Sequence, residues 1–334
     1  MPVPFTIGDA ADLVDVSIQK IWLKGSEKET RDFAEYYGVE TGVEDYYLKD
    51  SSLSGLGYAS RILENAVITS ESPVQGYDKT YTQVFYGKIL PFTKRMWKFG
   101  IKKRDLENIT QELRAACNDL REALCAERLD NAFATSYTTS DDSGNYSVTT
   151  TGGDGVALIS NAHTREDGGT NNNNRITDGT TVNMDFDYDG LKNAHRTAAL
   201  IKNPKGKPMK INLDTLVVAR GSANHFKALE ILGAIKKNKI PESFDNDGSG
   251  VMAYRIVATP WLLTNTAYWF MLDSTKKNSM WGSLQYKESE PITLSNQPNI
   301  VFKTEEIQYK ATMAFDMGHN DYRNIVGSKN TNAA

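Results

Sequence analysis

The longest uninterrupted feature of the sequence runs from Arg104 to about Tyr137, inside a region with no glycine or proline between Gly100 and Gly144. Nothing in this stretch breaks a helix. Its apolar residues recur at three- and four-residue steps, which places them along one side of a helix: Leu106, Ile109, Leu113, Ala116, Leu120 and Leu124, followed slightly off register by Leu129 and Phe133. At 1.5 Å per residue the predicted rod is roughly 45–50 Å long. Such a rod is typical of a scaffold for something large and thin.

The remaining positions of this helix are polar. Asp105 is the predicted cap at its start. A solvated or interface-facing surface is predicted for the other charged side chains: Arg114, Asp119, Arg121, Glu122, Glu127 and Arg128. Cys117 and Cys125 are eight residues apart, roughly 12 Å along the helix, which is too far for a disulfide. We therefore expect two reduced, half-buried packing residues.

Length, composition and net charge limit the classes of protein to which this chain can belong. A chain of 334 residues with 40% hydrophobic content suits two domains, or one elaborated domain, with a real core. The formal net charge of -4 does not favour sequence-specific binding of nucleic acid, which needs clustered Lys and Arg. There is no run of 18 apolar residues that would span a membrane, and the N-terminus lacks the layout of a signal peptide.

The N-terminal residues 1–24 predict an amphipathic arm. After an irregular start, apolar side chains fall on one helical face, and we expect them to pack on another chain. The candidate contacts of this arm are Leu13, Ile18, Ile21 and Trp22. Residues 25–65 are charged and aromatic with several glycines, which predicts an extended segment.

Residues 66–99 predict a β-hairpin. Ala66–Ser70 is the first expected strand, and the alternating segment Lys79–Ile89 is the second. Both faces of the second strand carry bulky groups, and a two-stranded ribbon is marginal alone in water, so we expect neighbours on both sides. Since aromatic anchors dominate interfaces, the candidate subunit contacts are Tyr77, Tyr81, Phe85 and Tyr86, with Lys79 and Lys88 on the same hairpin.

The second half of the chain reads as loops followed by an α+β unit. Residues 138–183 are rich in Gly, Asn, Thr and Asp, which predicts surface loops around one apolar island, Val156–Ile159. The elements expected after them are a helix at 187–201, a strand at Leu213–Ala219, a helix capped by Ser222 and running to about Ala234, strands at Tyr254–Ala258 and Ala267–Leu272, and an alternating strand at Lys303–Phe315.

No residue pattern points to catalysis, a cofactor or a metal. The four histidines, His163, His195, His225 and His319, lack paired-ligand spacing, so we expect surface or hydrogen-bonded structural roles for them. The segment 245–250 resembles a calcium loop, but Ile256 stands where the bidentate Glu should be. One basic cluster, interleaved with Trp97 and Phe99, is expected to be a solvated or subunit-facing patch rather than a nucleic-acid site: Lys94, Arg95, Lys98, Lys102, Lys103 and Arg104.

In their order, these elements resemble the major capsid proteins of tailed double-stranded DNA bacteriophages, which have the Hong Kong 97 fold. The resemblance covers most of the chain. The local matches are similar to the Mu-like head subunit branch: KILPFTKRMWKFGIKKRDLENI, VALISNAH, LDTLVVARGSANHFKALEIL, AYWFMLDS and FDMGHNDYRNIVGS. Each match alone is weak. The order of the elements carries the resemblance.

The resemblance implies an α+β capsid fold with four parts. Residues 1–60 would be the N-terminal arm, and 61–99 the E-loop hairpin that reaches across a neighbouring subunit. Residues 100–144 and 281–334 would form the peripheral domain around the long spine helix. Residues 145–280 would be the axial domain, although the asparagine-rich loop at 165–181 departs from the compact family pattern.

The resemblance also implies a function and partners. The chain would assemble into pentamers and hexamers of an icosahedral shell that holds packaged double-stranded DNA, in a virion made in the host bacterial cytoplasm. A portal protein and a decoration protein are implied partners. Because the sequence starts almost at once with the arm, a separate scaffolding protein, or none, is expected, without maturation cleavage. Lys79 and Lys88 are expected to be solvated rather than covalently crosslinked.

Three alternatives stay open from the sequence. The first is a cellular nanocompartment shell on the same fold, with enzyme cargo in place of DNA. The second is a soluble metal-dependent hydrolase that uses 245–250 and His225. The third is a tail-tube subunit, which the long rod and the chain length disfavour.

Overall fold

The computed structural model describes most of the chain. The described residues are 18–25, 31–53, 56–59, 61–62, 64, 67–68, 70–73, 75–93, 103–141, 144–236, 254–279, 282–296 and 306–329. The candidate contact Leu13, the calcium-like segment 245–250 and the basic residues at 94–102 lie outside them. No helix within the described ranges combines the length and the apolar character needed to cross a bilayer.

The long helix α1 spans Lys103–Asp130, 28 residues or about 42 Å. The helix ends earlier than the sequence pattern predicts because side-chain hydrogen bonds fix the backbone at this point. The Asp130 carboxylate accepts hydrogen bonds from the backbone N–H groups of Thr264 and Asn265, and the Asn131 side chain donates to the Glu127 carbonyl. The threonine-rich sequence that follows forms a strand. Asp105 lies inside the first turn rather than at the cap.

Twelve strands, two further long helices and three shorter helical segments complete the described fold. The strands are β1 Gly38–Thr41, β2 Tyr47–Leu53, β3 Gln75–Thr82, β4 Val84–Thr93, β5 Ser136–Asp141, β6 Gly144–Thr149, β7 Thr215–Ala219, β8 Arg255–Thr259, β9 Tyr268–Leu272, β10 Leu284–Asn296, β11 Glu306–His319 and β12 Ile325–Lys329. The helices are α2 Tyr188–Leu200 and α3 Ala223–Lys236. Short 3₁₀ helices lie at Asp32–Glu35 and Ser274–Lys276, and residues 18–25 are helical.

The strands form two four-stranded sheets and two ribbons. The first sheet has the order β1-β10-β11-β4, and the second has the order β12-β9-β7-β8. In each sheet one edge pair is parallel and the other pairs are antiparallel. The ribbons are β2–β3 and β5–β6. Strand β12, which lies in the region 281–334 that the resemblance groups with the peripheral domain, belongs to the second sheet.

The second sheet is the middle layer of the molecule. Successive residues of a strand point to opposite faces, and the two faces enter different cores. Val217, Ala219 and Phe270 pack with α1 and the first sheet. Leu216, Val218 and Trp269 pack with α2 and α3. One continuous core therefore joins α1 to both sheets, and a second core lies under the outer helices.

The predicted buried stripe of α1 is only partly correct. Leu113, Leu124 and Leu129 are buried, but Leu120 is exposed. Cys117 and Cys125 occupy the buried face as free thiols, fully buried rather than half-buried.

Two charged residues also lie on the buried side of α1. Arg121, predicted to be solvated, is fully buried between Glu288, Asn118 and the Phe33 ring. Its neighbour Glu122, predicted to share that solvated surface, is buried as well.

The α+β elements agree with the sequence to within a few residues. Helix α2 starts at an Asp187 cap whose carboxylate accepts from the Gly190 N–H at 2.6 Å. The Ser222 hydroxyl accepts from the His225 N–H at the start of α3. On β11 the predicted apolar face is buried at Tyr309, Ala311, Met313 and Phe315.

Candidate subunit-contact surface

The β2–β3 ribbon is the element for which the prediction from the sequence is least accurate. The predicted hairpin partner Ala66–Ser70 is wrong, because Val67 and Ile68 are not in a strand and β3 pairs antiparallel with β2 instead. Tyr47 lies opposite Thr82, and Leu53 lies opposite Gln75. One strand of the ribbon, β2, therefore lies in the part of the chain that was predicted to be the N-terminal arm. We call the described residues between its two strands the ribbon tip: 56–59, 61–62, 64, 67–68 and 70–73.

One face of β3 is fixed to the body of its own subunit. The Tyr77 hydroxyl lies 2.7 Å from the Thr164 Oγ1 atom, and the Lys79 ammonium donates to the Thr151 carbonyl at 2.7 Å. Tyr81 is fully buried, and a Cβ added at Gly318 would come within 3.1 Å of its ring. Three predicted contact residues therefore point inward and hold the ribbon in place.

Lys79 is a half-buried cation. Burial lowers the pKa of its ammonium group because the charged form loses hydration, and the positive charge of Arg128 adds to this effect. The ammonium hydrogen bond to the Thr151 carbonyl offsets part of the lost hydration. The sequence reading of Lys79 as a solvated side chain is therefore wrong.

The strand β4 that follows leaves the ribbon and joins the first sheet. Among the described strands it pairs only with β11 and so forms an edge of that sheet, where Pro91 is tolerated. Phe85 is 63% exposed, and Lys88, three residues further along the same strand, is exposed as well. Tyr86 instead stacks on Phe315 at 5.0 Å. Phe85 and Lys88 therefore stay predictions for subunit contacts, whereas the Tyr86 ring serves its own core.

The ribbon tip carries the most exposed apolar side chains of the described chain. Val67 is 94% exposed and Tyr58 is 77% exposed. Ile68, Ile62 and Leu56 are more than half exposed. They line an open groove of about 660 Å³ together with Glu71 and other tip residues. A concentrated apolar surface of this kind is typical of interaction sites.

The described part of the N-terminal arm packs on its own subunit. Ile18 is buried with Phe92 and Tyr309 against the first sheet. Trp22 belongs to the main core, where Arg114 lies 4.9 Å from its ring, and Ile21 is also buried. These side chains are buried inside their own chain, and the contact of the arm with another chain stays a prediction.

A buried polar cluster lies under the foot of the ribbon. The His163 ring stacks on Tyr322 with centroids 3.7 Å apart, while its Nδ1 atom lies 2.6 Å from Asp154. The Asn174 side chain donates to the Leu158 carbonyl and contacts His163 as well. The predicted surface loops at 138–183 therefore contain interior structure. The apolar island is confirmed, because Leu158 is buried in the main core.

The same cluster continues through an ionic network. Arg323 is buried and pairs with both Asp321 and Glu166. Its pKa is raised by the two carboxylates, which outweigh the loss of hydration. These contacts fix the loop that carries Thr164, the residue to which Tyr77 is bonded. No motif in the sequence pointed to this network, because its members come from distant parts of the chain.

The other three histidines also have structural surroundings. The His195 Nε2 atom lies 2.7 Å from the Tyr254 hydroxyl, and the His225 Nδ1 atom accepts from the Gly221 N–H. His319 is buried, and burial lowers its pKa to about 3 because the charged form loses hydration. Among the described residues, no group of three or more His, Cys, Asp or Glu side chains could hold a metal ion.

Solved structures show which fold the chain has. The capsid of the Cyanophage P-SCSP1u is 10% identical, with a TM-score of 0.50 and coverage of 88% of this chain and 86% of that one. The procapsid of bacteriophage JBD30 (10%, TM-score 0.46, 96% and 75%) and a virus-like particle from Pyrococcus furiosus (10%, TM-score 0.47, 92% and 96%) are also similar. The chain has the α+β fold of Hong Kong 97-type capsid subunits.

The family of this chain is identified by a match of its sequence to a family model. A family model described as phage capsid protein matches residues 76–328, most of the chain. The chain belongs to this family and is a structural major capsid protein of the virion. No curated protein matches it significantly. No comparison favours the nanocompartment alternative over a phage capsid.

Proposed function

We propose that copies of this subunit close into an icosahedral shell of hexamers and pentamers that encloses phage double-stranded DNA. Repeated heterologous contacts between identical chains close into rings, which would be the capsomers. The formal charge of -4 suits an inner wall that does not grip the genome. The role is mechanical, and we assign no catalytic step to the chain.

The observation that carries this proposal is the ribbon tip. It holds Val67, Ile68 and Tyr58 in solvent, although each would be stabilised by burial at about 25 cal/mol per Å² of apolar surface. A ribbon fixed at its foot by Tyr77 and Lys79 and apolar at its tip suits a contact with a neighbouring subunit. Phe85 on the edge strand β4 offers a second contact surface.

Assembly is proposed to take place in the host bacterial cytoplasm. A portal protein, a scaffolding protein and a decoration protein are proposed partners, all suggested by the family. The packaged DNA would be held without sequence-specific contacts. Co-purification from infected or co-expressing cells, with each candidate partner gene omitted in turn, tests these partners one by one.

The tip is tested by Val67→Asp. The side chain is nearly fully exposed, so we expect the free energy of unfolding of the free subunit to change by less than about 0.5 kcal/mol. Burial of an unpaired carboxylate at a subunit contact is costly, so the variant should not form particles. Unfolding in urea and sedimentation of the assembled fraction measure the two effects.

The conservative variant Val67→Leu is the matched control and should assemble normally. Normal particles from Val67→Asp would overturn the proposed role of the tip. A subunit that unfolds more easily would show instead that Val67 serves its own chain.

A further inference from the structure

Two lysines of a tight turn in the body of the subunit reach the ribbon tip. The Lys205 ammonium lies 2.9 Å from Glu71 Oε1. The Lys207 ammonium donates to the Leu56 carbonyl at 2.9 Å and lies 4.0 Å from the centroid of the Tyr58 ring. The two ends of the tip are therefore held by neighbouring cations of the same turn.

The tip is organised to meet these cations. The Gly57 N–H donates to Glu71 Oε2 at 2.6 Å, which joins the first part of the tip to the last. The hydrogen bonds from Lys205 and Gly57 hold the pKa of Glu71 below its usual range, so its carboxylate remains charged. The contact is thus a defined arrangement of opposite charges and a cation–π pair.

The lysine turn is held together by its own hydrogen bonds, whereas its contact with the tip lies at the surface. Asn203 Oδ1 accepts from the backbone N–H groups of both Lys205 and Lys207, and Gly206 takes the left-handed conformation that closes the turn. The Lys205 and Glu71 side chains are 27% and 41% exposed. Ion pairs with such exposure are weak and are screened by salt.

The contact leaves the apolar groups of the tip unburied. Val67, Ile68 and Ile62 stay more than half exposed while the charged and backbone atoms of the tip are held. A tip that docked permanently on its own body would bury these side chains. The arrangement restrains the position of the tip without using its apolar surface.

We infer that the Lys205–Lys207 turn is a latch, which holds the ribbon tip on its own subunit before assembly and releases it when a second copy of the chain offers an apolar surface. This inference rests on the proposed role of the tip as a subunit contact. The latch slows assembly at low salt, because its ion pair must break first.

The first test removes the latch charges with Lys205→Gln and Lys207→Gln together. We expect light scattering to show assembly about fivefold faster than for the wild type at low salt, the equivalent of two weak surface contacts. The difference should shrink at high salt. Hydrogen exchange at the Gly57 amide of the free subunit should also become faster. Lys202→Gln, which changes an exposed lysine of the same segment, is the control and should behave like the wild type.

The second test closes the latch covalently. Glu71→Cys with Lys205→Cys, joined by a short cleavable bismaleimide linker, should give subunits that do not assemble until the linker is cut. The native Cys117 and Cys125 are buried and should not react.

The outcomes separate the latch from the role of the tip. If the double glutamine variant assembles at the wild-type rate or more slowly, the latch is wrong, whatever the result for Val67→Asp. If linked subunits assemble as well as cut ones, tip release is not needed and the latch is wrong, whereas the contact made by the tip is decided separately by Val67→Asp.

Discussion

At the residue scale, the role of a side chain depends on whether it points into the core or into solvent. Tyr81 and Phe85 lie four residues apart and look equivalent in sequence, since both alternate with other bulky groups. The structure buries Tyr81 completely and leaves Phe85 63% exposed. The two residues are in different sheets because the chain leaves the ribbon at Gln83. Strand periodicity could not reveal that change.

Tyr81→Ala and Phe85→Ala should therefore have opposite effects. Loss of the buried ring of Tyr81 should lower the free energy of unfolding by about 3–5 kcal/mol, as for other large aromatic deletions. Phe85→Ala should leave unfolding within about 0.5 kcal/mol of the wild type but reduce assembly. Urea unfolding and sedimentation measure the two properties. Equal destabilisation by both variants would contradict the assigned burial.

Glu122 is a second residue whose environment the sequence did not reveal. Its carboxylate accepts from the Phe33 N–H at 3.0 Å, and burial together with the charge of Asp32 raises its pKa to about 7. In the window from about 4.5 to about 7 the folded state therefore binds more protons at this group than the unfolded state. The contribution of Glu122 to stability then falls as pH rises through this window.

Glu122→Gln should remove that pH dependence. The amide oxygen can still accept from Phe33, and it carries no charge to desolvate. At pH 8 the variant should be more stable than the wild type by on the order of 2 kcal/mol, with little difference at pH 4.5. Urea unfolding at both pH values measures the effect. The exposed Glu112→Gln on the same helix is the control, and a Glu122→Gln profile parallel to the wild type would refute the assignment.

At the scale of helices and strands, the sequence correctly predicted those elements whose formation depends on residues close together in the chain. Helix α2 has its Asp187 cap and an apolar stripe, and β11 has strict alternation; both were found where the sequence placed them. The pairing of β2 with β3 was missed because a long intervening segment separates them and YLKDSSL does not alternate in polarity. The end of α1 was missed because it depends on Thr264 and Asn265, which are distant in sequence.

The cap of α2 gives a test at this scale. Asp187→Ala removes the acceptor for the Gly190 N–H and should lower the free energy of unfolding by about 1 kcal/mol. Asp189→Ala removes a charge from the same first turn without removing the cap, and it should cost clearly less. Thermal or urea unfolding of the two variants side by side decides between them, and equal losses would show that charge near the helix start, rather than capping, is responsible.

At the scale of the whole molecule, the order of elements was more informative than any single motif. An arm, a ribbon, a long helix, an α+β unit and a returning strand resemble a capsid subunit, and the family match confirms that class. The subunit-contact surface was only partly predictable. The sequence identified the aromatic ribbon, but the inward direction of Tyr77 and the exposed tip around Val67 depend on contacts with Thr164 and on strand pairing.

The most direct test of the shell assignment is electron microscopy of the purified, overexpressed protein, together with its sedimentation. The account predicts closed, thin-walled particles, or rings of hexamers and pentamers, that sediment far ahead of the single subunit. A stable monomer or dimer that never assembles, even with its candidate scaffolding protein present, would contradict it.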